Sequence, residues 1–579
     1  MVEVLADIRF SKIDRKINGI HYTPNNLSRF VAKKMLDECN KLNKKRIKIF
    51  DPAVGDGALL ESLSEQLLVR GYNDFEIYGF DTNSCAINTS IKRLVSSFNN
   101  HILLSRQDFL DYVLDKYGIT INLFNNESEI HKFDLIISNP PYVRTQQLGA
   151  VKAQKISRNF GLRGRVDLYH AFIVGISRVL KEGGIAGIIV SNRFLTTKGG
   201  ATLRNKILEE FDVIHVWDMG DTKIFNAAVL PAVLFLRKKS KSILDNIKPR
   251  FSSIYELQVQ SPIRKRCKTL VEALEFKGVV ELENNQKYLV RHGVLDVEEC
   301  RKHEGVWRLS DDLSKKWISI IEENTHCRFG DIGKIRVGVK TTADAVFIRS
   351  DWEDVCKKKL PELLKKLTTH HIARRYRPFN HNKTCILYTH ENVAGVRKVV
   401  DIKKYPNAFK YLLKFKSRLS GRKYVIDAGR KWFEIWVPHN PEMWNRPKVI
   451  FRDIVEEPTF WMDFKKTVVN GDCYWFTNEK YDSENILWLA MAVANSTFIE
   501  FYYDQMFNNK LYSNRRRFMT QYVEKFPVPN PNASNSRKIV FLAQKAFSHD
   551  NCDEIEKISE KIDKLVWSAF NLSRKEVVR

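Results

Sequence analysis

The sequence predicts an α/β protein with a mainly parallel sheet, followed by a C-terminal part of mixed α+β structure. From about residue 45 to residue 237, short β-rich runs alternate with helical stretches. The strand-like runs are continuously apolar, which is typical of parallel strands covered by helices on both faces. After residue 240 this alternation fades, and residues 241–268 mix basic residues, serine and proline. We therefore predict two domains, 1–243 and 244–579, joined by a linker.

Length and composition indicate a globular protein of several domains. The 579 residues allow two to four domains, and 44% of them are hydrophobic. We find no run of eighteen apolar residues and no signal-peptide pattern, so we expect a cytoplasmic protein without a membrane segment. The nine cysteines form no C-x-x-C pair and no zinc-like set with histidine. We interpret them as reduced structural thiols and predict no metal site.

The charge predicts a polyanionic partner. The net charge is +27, of which residues 1–240, with 34 Lys+Arg and 25 Asp+Glu, contribute 34 − 25 = +9. The remaining 27 − 9 = +18 lies in residues 241–579. Such an excess is most often matched to nucleic acid, although a basic surface without a partner is the alternative. The C-terminal part is the better candidate for binding phosphates.

Polar residues end successive predicted strands of the first part. R-I-K-I-F-D ends at Asp51, E-I-Y-G-F-D ends at Asp81, and F-D-L-I-I-S-N ends at Asn139. The carboxyl ends of parallel strands form the ligand-binding edge of such sheets. Asp108, in S-R-Q-D-F, falls where the third strand should end. A single acid here is often only a helix N-cap, but several in succession favour a nucleoside ligand.

A glycine turn follows the first strand. In D-P-A-V-G-D-G, Gly55 and Gly57 allow a tight turn and a close approach of the backbone to a ligand. The helix that follows presents its N-terminus, which favours an anionic group. The later elements continue the same pattern. They are the helix D-L-Y-H-A-F-I-V-G-I-S-R-V-L, for which E-G-G is the predicted glycine C-cap, and the strands A-G-I-I-V-S, V-I-H-V-W-D and A-V-L-F-L-R.

The motifs D-P-A-V-G-D-G, F-D-T-N, Q-D-F and N-P-P-Y, in this order, resemble those of S-adenosylmethionine-dependent amino-methyltransferases. With Y-T-P (22–24) upstream and a basic C-terminal half, the order resembles the TaqI-like γ class of adenine-N6 DNA methyltransferases of type II restriction–modification systems. The match runs from about residue 19 to residue 237. Beyond it, 336–348, 494–502 and 525–529 resemble fragments of the specificity region of that class.

The resemblance implies a Rossmann-like catalytic domain that binds S-adenosyl-L-methionine, and a C-terminal target-recognition domain that ends in helices. Cofactor contacts are implied for Asp51, for the glycine turn and for the later strand ends. Thr23, Ala53 and Gly55 would contact the methionine moiety, with Asp51 and Gly57 in the same loop. Asp81 would bind the ribose hydroxyls, Asp108 and Phe109 would meet the adenine, and Phe172 would pack on the adenine ring or be an ordinary core residue.

The N-P-P-Y motif can activate an amino group on a planar ring. The side-chain oxygen of Asn139 and the carbonyl of Pro140 can accept the two N–H groups of adenine N6, which leaves the nitrogen lone pair available. A base inside a duplex must be flipped out for this, and Tyr142 can stack on it. Phe225 matches the second stacking aromatic of the class, with a core position as the alternative. No metal and no cysteine nucleophile is needed.

The predicted partner is double-stranded DNA with a short specific site, which the cognate restriction endonuclease would share without having to bind the protein. The chain resembles one member of this class in overall length and motif order, and that resemblance, rather than any residue of the sequence, implies ATCGAT as the target. Residues that could contact phosphate, or simply face solvent, are Arg336, Lys340, Arg515, Arg516 and Arg517.

Four other functions use some of the same features. N-P-P-Y also occurs in methyltransferases that act on protein glutamine or on RNA, but those chains are typically shorter and lack a large basic C-terminal domain. Cytosine-N4 enzymes usually have Ser at the position of Asn139. A DNA-binding module without activity would not need every catalytic position. A fused restriction–methylation enzyme would need a nuclease site, and we interpret Asp463-x-Lys465 as strand and turn.

Overall fold

A computed structural model of the chain describes residues 23–39, 46–117, 132–143, 149–164, 166–222, 224–225, 230–240, 248–257, 262–295, 306–356, 359–379, 383–507 and 515–574. These residues form two compact units that divide between Asp311 and Asp312. We call them the N-terminal unit and the C-terminal unit.

The N-terminal unit is built on one twelve-stranded sheet. Five strands form its parallel half, in which β3, β2, β1, β4 and β5 are successive neighbours. The next strand, β7, lies between β5 and β6 and is antiparallel to both. The order is β3–β2–β1–β4–β5–β7–β6–β8–β11–β10–β9, with β12 paired to β11. The strands are β1 Ile47–Asp51, β2 Phe75–Asp81, β3 His101–Arg106, β4 Phe133–Ser138, β5 Leu180–Ser191, β6 Phe211–Asp218, β7 Pro231–Lys238, β8 Arg250–Glu256, β9 Lys265–Cys267, β10 Gly278–Leu282, β11 Lys287–Leu295 and β12 Leu309–Ser310.

Apolar cores cover both faces of this sheet. Along β4, Ile136 belongs to one core, while Leu135 and Ile137 belong to the other. Since successive side chains of a strand point to opposite faces, the two cores lie on opposite sides of the sheet. The helices of this unit are α1 Asn25–Asp37, α2 Ala58–Val69, α3 Ser84–Ser97, α4 Phe109–Tyr117, α5 Ala150–Asn159, α6 Leu168–Val179, α7 Ala201–Glu210 and α8 Leu270–Ala273, with 3-10 turns at Asn192–Leu195 and Lys198–Gly200. The predicted α/β fold with a mainly parallel sheet is confirmed.

Two features differ from the sequence prediction. The helix α6 ends at Val179, and Leu180 is already extended, so the predicted glycine C-cap at E-G-G is wrong: these residues lie inside β5. The unit also extends 68 residues past the predicted boundary at 243. The strand β8 pairs in parallel with β6, and β11 pairs with β8, so residues 250–295 continue the sheet rather than begin a new domain.

The C-terminal unit is a mixed α+β assembly of small sheets and helices, as the sequence predicts. Its two four-stranded sheets have the orders β14–β24–β20–β22 and β15–β17–β16–β23, and three strand pairs are separate: β13–β26, β18–β19 and β21–β25. The strands are β13 Cys327–Arg328, β14 Arg336–Val337, β15 Ile348–Arg349, β16 Leu364–Thr368, β17 Cys385–Leu387, β18 His390–Val393, β19 Val396–Val399, β20 Lys448–Arg452, β21 Ile454–Val455, β22 Phe460–Asp463, β23 Val468–Val469, β24 Cys473–Phe476, β25 Arg516–Arg517 and β26 Pro527–Val528.

The helices of the C-terminal unit are mostly short until its last part. They are α9 Asp312–Glu323, α10 Phe329–Ile332, α11 Asp344–Phe347, α12 Trp352–Cys356, α13 Pro406–Leu413, α14 Lys416–Ser420, α15 Lys423–Asp427, α16 Asn485–Ala494, α17 Thr497–Met506, α18 Thr520–Val523, α19 Ser534–Ser548 and α20 Cys552–Ala569, with 3-10 turns at His370–Ile372, Ile402–Lys404 and Pro441–Asn445. The helix α20 buries Ile555, Ile558, Ile562 and Val566 at helical spacing, so the unit ends in packed helices as predicted.

Within the described ranges, no single helix is both long and apolar enough to cross a bilayer. By length and composition only the bent pair of helices α16 and α17 there, at 71° to each other, would suffice.

Candidate active site

The carboxyl ends of three neighbouring strands bring the predicted site residues to one edge of the sheet. The strand β1 lies between β2 and β4 and is parallel to both. Asp51 and Asp81 are the last residues of β1 and β2, and Asn139 directly follows β4. The sheet topology therefore places the two carboxylates and the amide at one edge, as expected from the strand-end pattern.

The glycine turn is tied to the second strand by its backbone. The N–H of Gly55 donates to the Asp81 carboxylate at 3.0 Å, and the carbonyl of Gly55 accepts from the Ser90 hydroxyl at 2.8 Å. Gly55 and Gly57 have φ values of 54° and 84°, which favour glycine. A Cβ on Gly57 would also lie 3.3 Å from Ser90. Both glycines are thus required by the path of the turn.

Asp51 is a buried acid with spare hydrogen-bonding capacity. One carboxylate oxygen accepts from the Ala53 N–H at 2.9 Å, while the other, Oδ2, is buried and has no hydrogen-bond partner of good geometry among the described residues. Burial raises the pKa of Asp51 to about 7, against the opposing effects of the Ala53 N–H and the nearby Ser138 hydroxyl. A buried acceptor without a partner beside a glycine turn suits a polar or cationic ligand.

The other two acids predicted to bind the cofactor, Asp81 and Asp108, have different local roles. Asp81 accepts from the N–H groups of Gly55 and Asn83, and burial raises its pKa above the ordinary value. Asp108 accepts from the Leu110 N–H at 2.9 Å, at the start of α4. It therefore caps that helix, and capping leaves its second carboxylate oxygen available for a further contact.

Two phenylalanines predicted to meet the cofactor adenine lie together. The ring centroids of Phe109 and Phe172 are 5.3 Å apart with an interplanar angle of 39°, and both side chains are buried. Both belong to the apolar core that also contains Phe50. The structure thus brings the pair together, while their contact with a cofactor ring stays a prediction.

The Asn139 amide lies in the middle of a hydrogen-bonded chain. Asn139 donates from Nδ2 to the Thr23 hydroxyl at 3.1 Å, and its Oδ1 accepts from the Tyr142 hydroxyl at 2.6 Å. Burial raises the pKa of Tyr142 well above its ordinary range, so its hydroxyl remains a donor. Thr23 and Tyr142 thereby fix the plane and the orientation of the Asn139 amide from both ends.

The ring of Tyr142 is supported from one side by an aromatic that the sequence analysis did not select. Tyr169, in α6, meets it edge to face at a centroid distance of 6.2 Å, and the Tyr169 hydroxyl donates to the Ser191 carbonyl at 3.4 Å. Tyr169 lies three residues before Phe172 in D-L-Y-H-A-F. An aromatic on the buried side of a helix carries no separate signal, so sequence alone could not identify it.

Phe225 lies in the apolar core on the other side of the sheet from the core that Tyr142 contacts. Its side chain is 4% exposed, and it belongs to the cluster that includes Ile137 and Trp217. The neighbouring positions 223 and 226–229 lie outside the described residues. The structure therefore places Phe225 in a core environment, and its stacking role remains a prediction.

A further strand-end acid forms a hydrogen-bonding centre that the sequence analysis missed. Asp218, the last residue of β6, accepts from Asn192 Nδ2 at 2.8 Å, from the Tyr255 hydroxyl at 2.7 Å and from the Gly220 N–H at 3.1 Å. Burial raises its pKa to about 6. The strand V-I-H-V-W-D ends in an acid just as β1 and β2 do, so the same pattern could have identified it.

The basic residues predicted to contact phosphate are mostly paired with acids. Arg336 contacts Glu479 at 2.7 Å, and Arg515 contacts Glu456 at 3.4 Å. Arg517 forms an ion pair with Asp453 at 3.1 Å. Lys340 is exposed, and its main chain bonds to Val437.

Arg516 has a structural role that corrects the prediction for this residue. Its side chain is 6% exposed, and its guanidinium forms two hydrogen bonds of 2.9 Å with Asp504. A third contact at 3.1 Å joins it to Glu500. A guanidinium held inside the unit in this way cannot meet a phosphate at the surface.

Asp463 is also structural. It lies at the end of β22 and pairs with Lys448 at 2.9 Å, with both side chains almost fully buried. It also accepts from the main-chain N–H groups of Lys465 and Thr467. This agrees with the strand-and-turn interpretation. Among the residues that the structure describes, no group of three or more His, Cys, Asp and Glu side chains could hold a metal ion.

Two protein families match the chain. The Eco57I restriction-modification methylase family matches residues 76–225, which include the Asp81 and Asn139 positions. The TaqI-like C-terminal specificity domain matches residues 400–528, within the C-terminal unit.

Full-length relatives are also found. The type II methyltransferase M.BanIII of Aneurinibacillus aneurinilyticus is 39% identical over 574 residues, which cover 97% of this chain and 98% of that protein. The type II methyltransferase M.BstVI of Geobacillus stearothermophilus is 23% identical and covers 92% of this chain and 93% of its own. A solved structure of the Type IIL restriction-modification enzyme MmeI in complex with DNA has a similar fold, with a TM-score of 0.61 at 14% identity over 97% of this chain and 78% of that one.

Proposed function

We propose that this chain, which belongs to the type II DNA methyltransferases of restriction–modification systems, methylates N6 of adenine in double-stranded DNA. The cofactor of this family is S-adenosylmethionine. The observation that carries this proposal is the position of Asn139, Pro140 and Tyr142 directly after β4, next to the strand ends that bear Asp51 and Asp81.

The residues at this edge suit the cofactor. Asp51 offers a buried oxygen without a partner, Asp81 faces the glycine turn, and Phe109 with Phe172 offers an apolar site for a ring. We propose that these residues hold the methionine group, the ribose and the adenine, respectively, together with Thr23, Ala53, Gly55, Gly57 and Asp108. When bound, S-adenosylmethionine supplies an electrophilic methyl group on a sulfonium sulfur.

Asn139 and Pro140 prepare the amino group of the base. The exocyclic nitrogen of adenine is a poor nucleophile because its lone pair is delocalised into the ring. Two acceptors, Asn139 Oδ1 and the Pro140 carbonyl, would hold its two N–H groups and favour a pyramidal nitrogen with an available lone pair. The fixed φ of proline limits movement of this carbonyl, so both acceptors are preorganised.

Tyr142 would bind the face of the flipped base. Adenine inside a duplex cannot present N6 to this edge, so the target nucleotide must leave the stack. In the structure the Tyr142 hydroxyl occupies Asn139 Oδ1, which is the acceptor that the base requires. Entry of the base therefore requires the adenine N–H to share or replace that hydrogen bond.

The proposed target is the palindrome ATCGAT, and methylation of it would protect DNA from an endonuclease that recognises the same site. The test is to methylate plasmid DNA with labelled cofactor and to map modified bases by single-molecule sequencing. We expect N6-methyladenine at one short site. Modification of cytosine, or labelling of protein or RNA but not DNA, would contradict the adenine assignment.

Replacement of Asn139 tests the amine-activating role. Asn139→Ala removes one of two preorganised acceptors, and we expect at least about a hundredfold loss in turnover. Binding of S-adenosylmethionine, measured by calorimetry, should change little, because the cofactor residues are intact. A variant with near-normal turnover would exclude this role of Asn139.

A further inference from the structure

Residues 397–431 of the C-terminal unit are the most basic part of the described chain, and we call them the basic segment. They contain twelve Lys+Arg and two acids, Asp401 and Asp427. The segment thus contributes 12 − 2 = +10 of the net charge of +27 in 35 of 579 residues. An excess of this density favours an external polyanion where carboxylates of the protein do not balance it.

Ten of these twelve side chains are exposed. They belong to the strand β19, to the 3-10 turn Ile402–Lys404 and to the helices α13, α14 and α15 or their flanks. The exposed residues are Arg397, Lys398, Lys403, Lys404, Lys410, Lys414, Lys416, Arg418, Lys423 and Lys431.

The other two basic residues hold the fold of the segment. Arg422 is buried and donates to main-chain carbonyls, including those of Thr341 at 2.7 Å and Trp432 at 2.6 Å. Arg430 donates to the carbonyl of Trp436 at 2.5 Å. These guanidiniums satisfy backbone acceptors, so the structure itself separates the basic residues that stabilise the segment from those that face outwards.

The exposed ten have no acidic partner among the residues that the structure describes. Within the ranges that the structure describes, none of their side chains forms an ion pair with a carboxylate. Arg336, Arg515, Arg516 and Arg517 each have such a pair. A carboxylate beside an arginine balances its charge locally, whereas a lysine without such a partner adds its full charge to the field outside the protein.

The basic segment is packed against the core of the C-terminal unit. It buries Ile402, Tyr411, Leu412 and Leu419 in the core of this unit, and the Tyr411 hydroxyl donates to the Val346 carbonyl at 2.8 Å. The carboxylate of Glu362 accepts from the first N–H groups of α13 at 3.0 and 2.9 Å. The exposed cations are therefore carried on fixed short elements.

From these observations we infer that the basic segment is the surface that binds the phosphate backbone of DNA, in place of the arginines selected from the sequence. This inference rests on the proposed DNA substrate and adds to it the surface that holds the duplex. DNA is favoured over other polyanions because residues 400–431 lie within the match to the TaqI-like specificity domain. Contacts of this kind position a duplex without reading its sequence.

The test removes one lysine from each short helix of the segment. The variant K404Q/K410Q/K416Q/K423Q is compared with a matched control, K538Q/K545Q/K557Q/K561Q, which removes four exposed lysines from α19 and α20. Affinity for a duplex without any target site is measured between about 50 and about 200 mM salt. Each phosphate contact contributes about 0.9 to the slope of log K against log salt.

We expect the segment variant to flatten this slope by about 3 and to weaken binding at least about tenfold, while the control changes the slope by less than about 1. Equal slopes for both variants would overturn the inference, as would binding of the wild type to phosphatidylserine vesicles in preference to DNA through the same four lysines. If the quadruple variant does not fold, K410Q/K416Q serves instead, and an unchanged slope for it overturns the inference equally. The salt slope is independent of which base is methylated, so failure of the adenine assignment is seen separately in the sequencing test.

Discussion

At the scale of single residues, the Asn139 amide has one partner far away in the sequence and one close by. Thr23 precedes Asn139 by 116 positions, yet its hydroxyl accepts from the amide at 3.1 Å. Tyr142, three positions after Asn139, contacts the opposite end of the amide. The N-P-P-Y motif identifies the second contact, but only the fold reveals the first.

Thr23 should therefore act on turnover through Asn139. In Thr23→Val the side-chain shape is kept and the acceptor is lost, so the amide is free to rotate. We expect the turnover at saturating cofactor to fall about five- to tenfold, which corresponds to the loss of about one hydrogen bond. Thr23→Ser, which keeps the hydroxyl, should restore most of the turnover.

The measurement is kcat by steady-state methylation, with the Kd of S-adenosylmethionine measured in parallel. If Thr23 serves only the cofactor, the Kd would rise and saturating cofactor would restore kcat in the valine variant. That pattern would contradict a positioning role for Thr23.

We predict that Asp51 makes cofactor binding depend on pH. Burial holds its pKa at about 7, against an ordinary value of 3.8. A ligand with positive charge prefers the ionised carboxylate, so the affinity for S-adenosylmethionine should increase as the pH rises from about 6 to about 8. Asp51→Asn should show weaker binding and a flatter profile in titration calorimetry.

The raised pKa of Asp51 has the opposite pH effect on the stability of the protein without ligand. Because the unfolded chain releases the Asp51 proton near pH 3.8 and the folded protein near pH 7, the contribution of this group to the free energy of unfolding falls as the pH rises across that interval. Above pH 7 the contribution of Asp51 to the free energy of unfolding no longer changes.

The binding measurement decides whether Asp51 contacts the cofactor. An affinity of the wild type for S-adenosylmethionine that does not depend on pH would argue against this contact.

The residue scale also shows what a sequence can and cannot specify about charge. The acids at strand ends were predicted from the pattern, because the carboxyl ends of parallel strands meet at one edge. Arg516 was assigned to the surface because a basic run is usually solvated. Its partner Asp504 is twelve positions away on α17, and a pairing of that kind depends on the packing of the chain.

At the scale of elements, continuous apolar runs predicted strands well and boundaries less well. The strands β1, β2, β4, β6 and β7 lie where the runs R-I-K-I-F-D to A-V-L-F-L-R predict them. The E-G-G sequence was assigned as a helix C-cap, but the chain passes directly from α6 into β5. Glycine permits both a cap and an extended conformation, so local sequence did not distinguish them.

The strand pair β20–β22 contains a buried ion pair that gives a prediction for stability. Lys448 and Asp463 are opposite each other in the register of this strand pair, and both side chains are buried away from water. Asp463→Ala leaves a buried ammonium without its partner, which typically costs about 3–5 kcal/mol. We expect a clear fall in the denaturant midpoint of unfolding.

The double variant Lys448→Met with Asp463→Asn should recover part of this loss, because it leaves no unpaired buried charge and the asparagine oxygen can still accept from the N–H groups of Lys465 and Thr467. Addition of magnesium should produce no DNA cleavage in the wild type, since Asp463 is committed to Lys448. Cleavage that is abolished by Asp463→Asn would contradict the structural role.

At the scale of the whole molecule, the chain divides at a different place from the one that composition indicates. The basic, serine- and proline-containing stretch after residue 240 predicted a linker, yet β8 to β12 continue the first sheet up to Ser310. The strand β8 contributes Phe251 and Ile254 to the two cores of that sheet. A change in composition along the chain therefore marked the end of the βα alternation and not the end of the unit.

This division predicts different behaviour for two truncated chains. A fragment of residues 1–311 keeps every strand of the twelve-stranded sheet, so it should unfold cooperatively and bind S-adenosylmethionine. A fragment of residues 1–243 leaves the edge of β6 unpaired and removes Phe251 and Ile254 from the cores, so it should aggregate or lack a cooperative transition. Thermal unfolding followed by circular dichroism compares them, with the full chain as the control. A cooperative transition and normal cofactor affinity in the shorter fragment would mean that residues 250–310 are dispensable for the unit.

The longer fragment also tests the basic segment, which it lacks. Equal affinity of the 1–311 fragment and the full chain for DNA would contradict a phosphate-binding role of that segment.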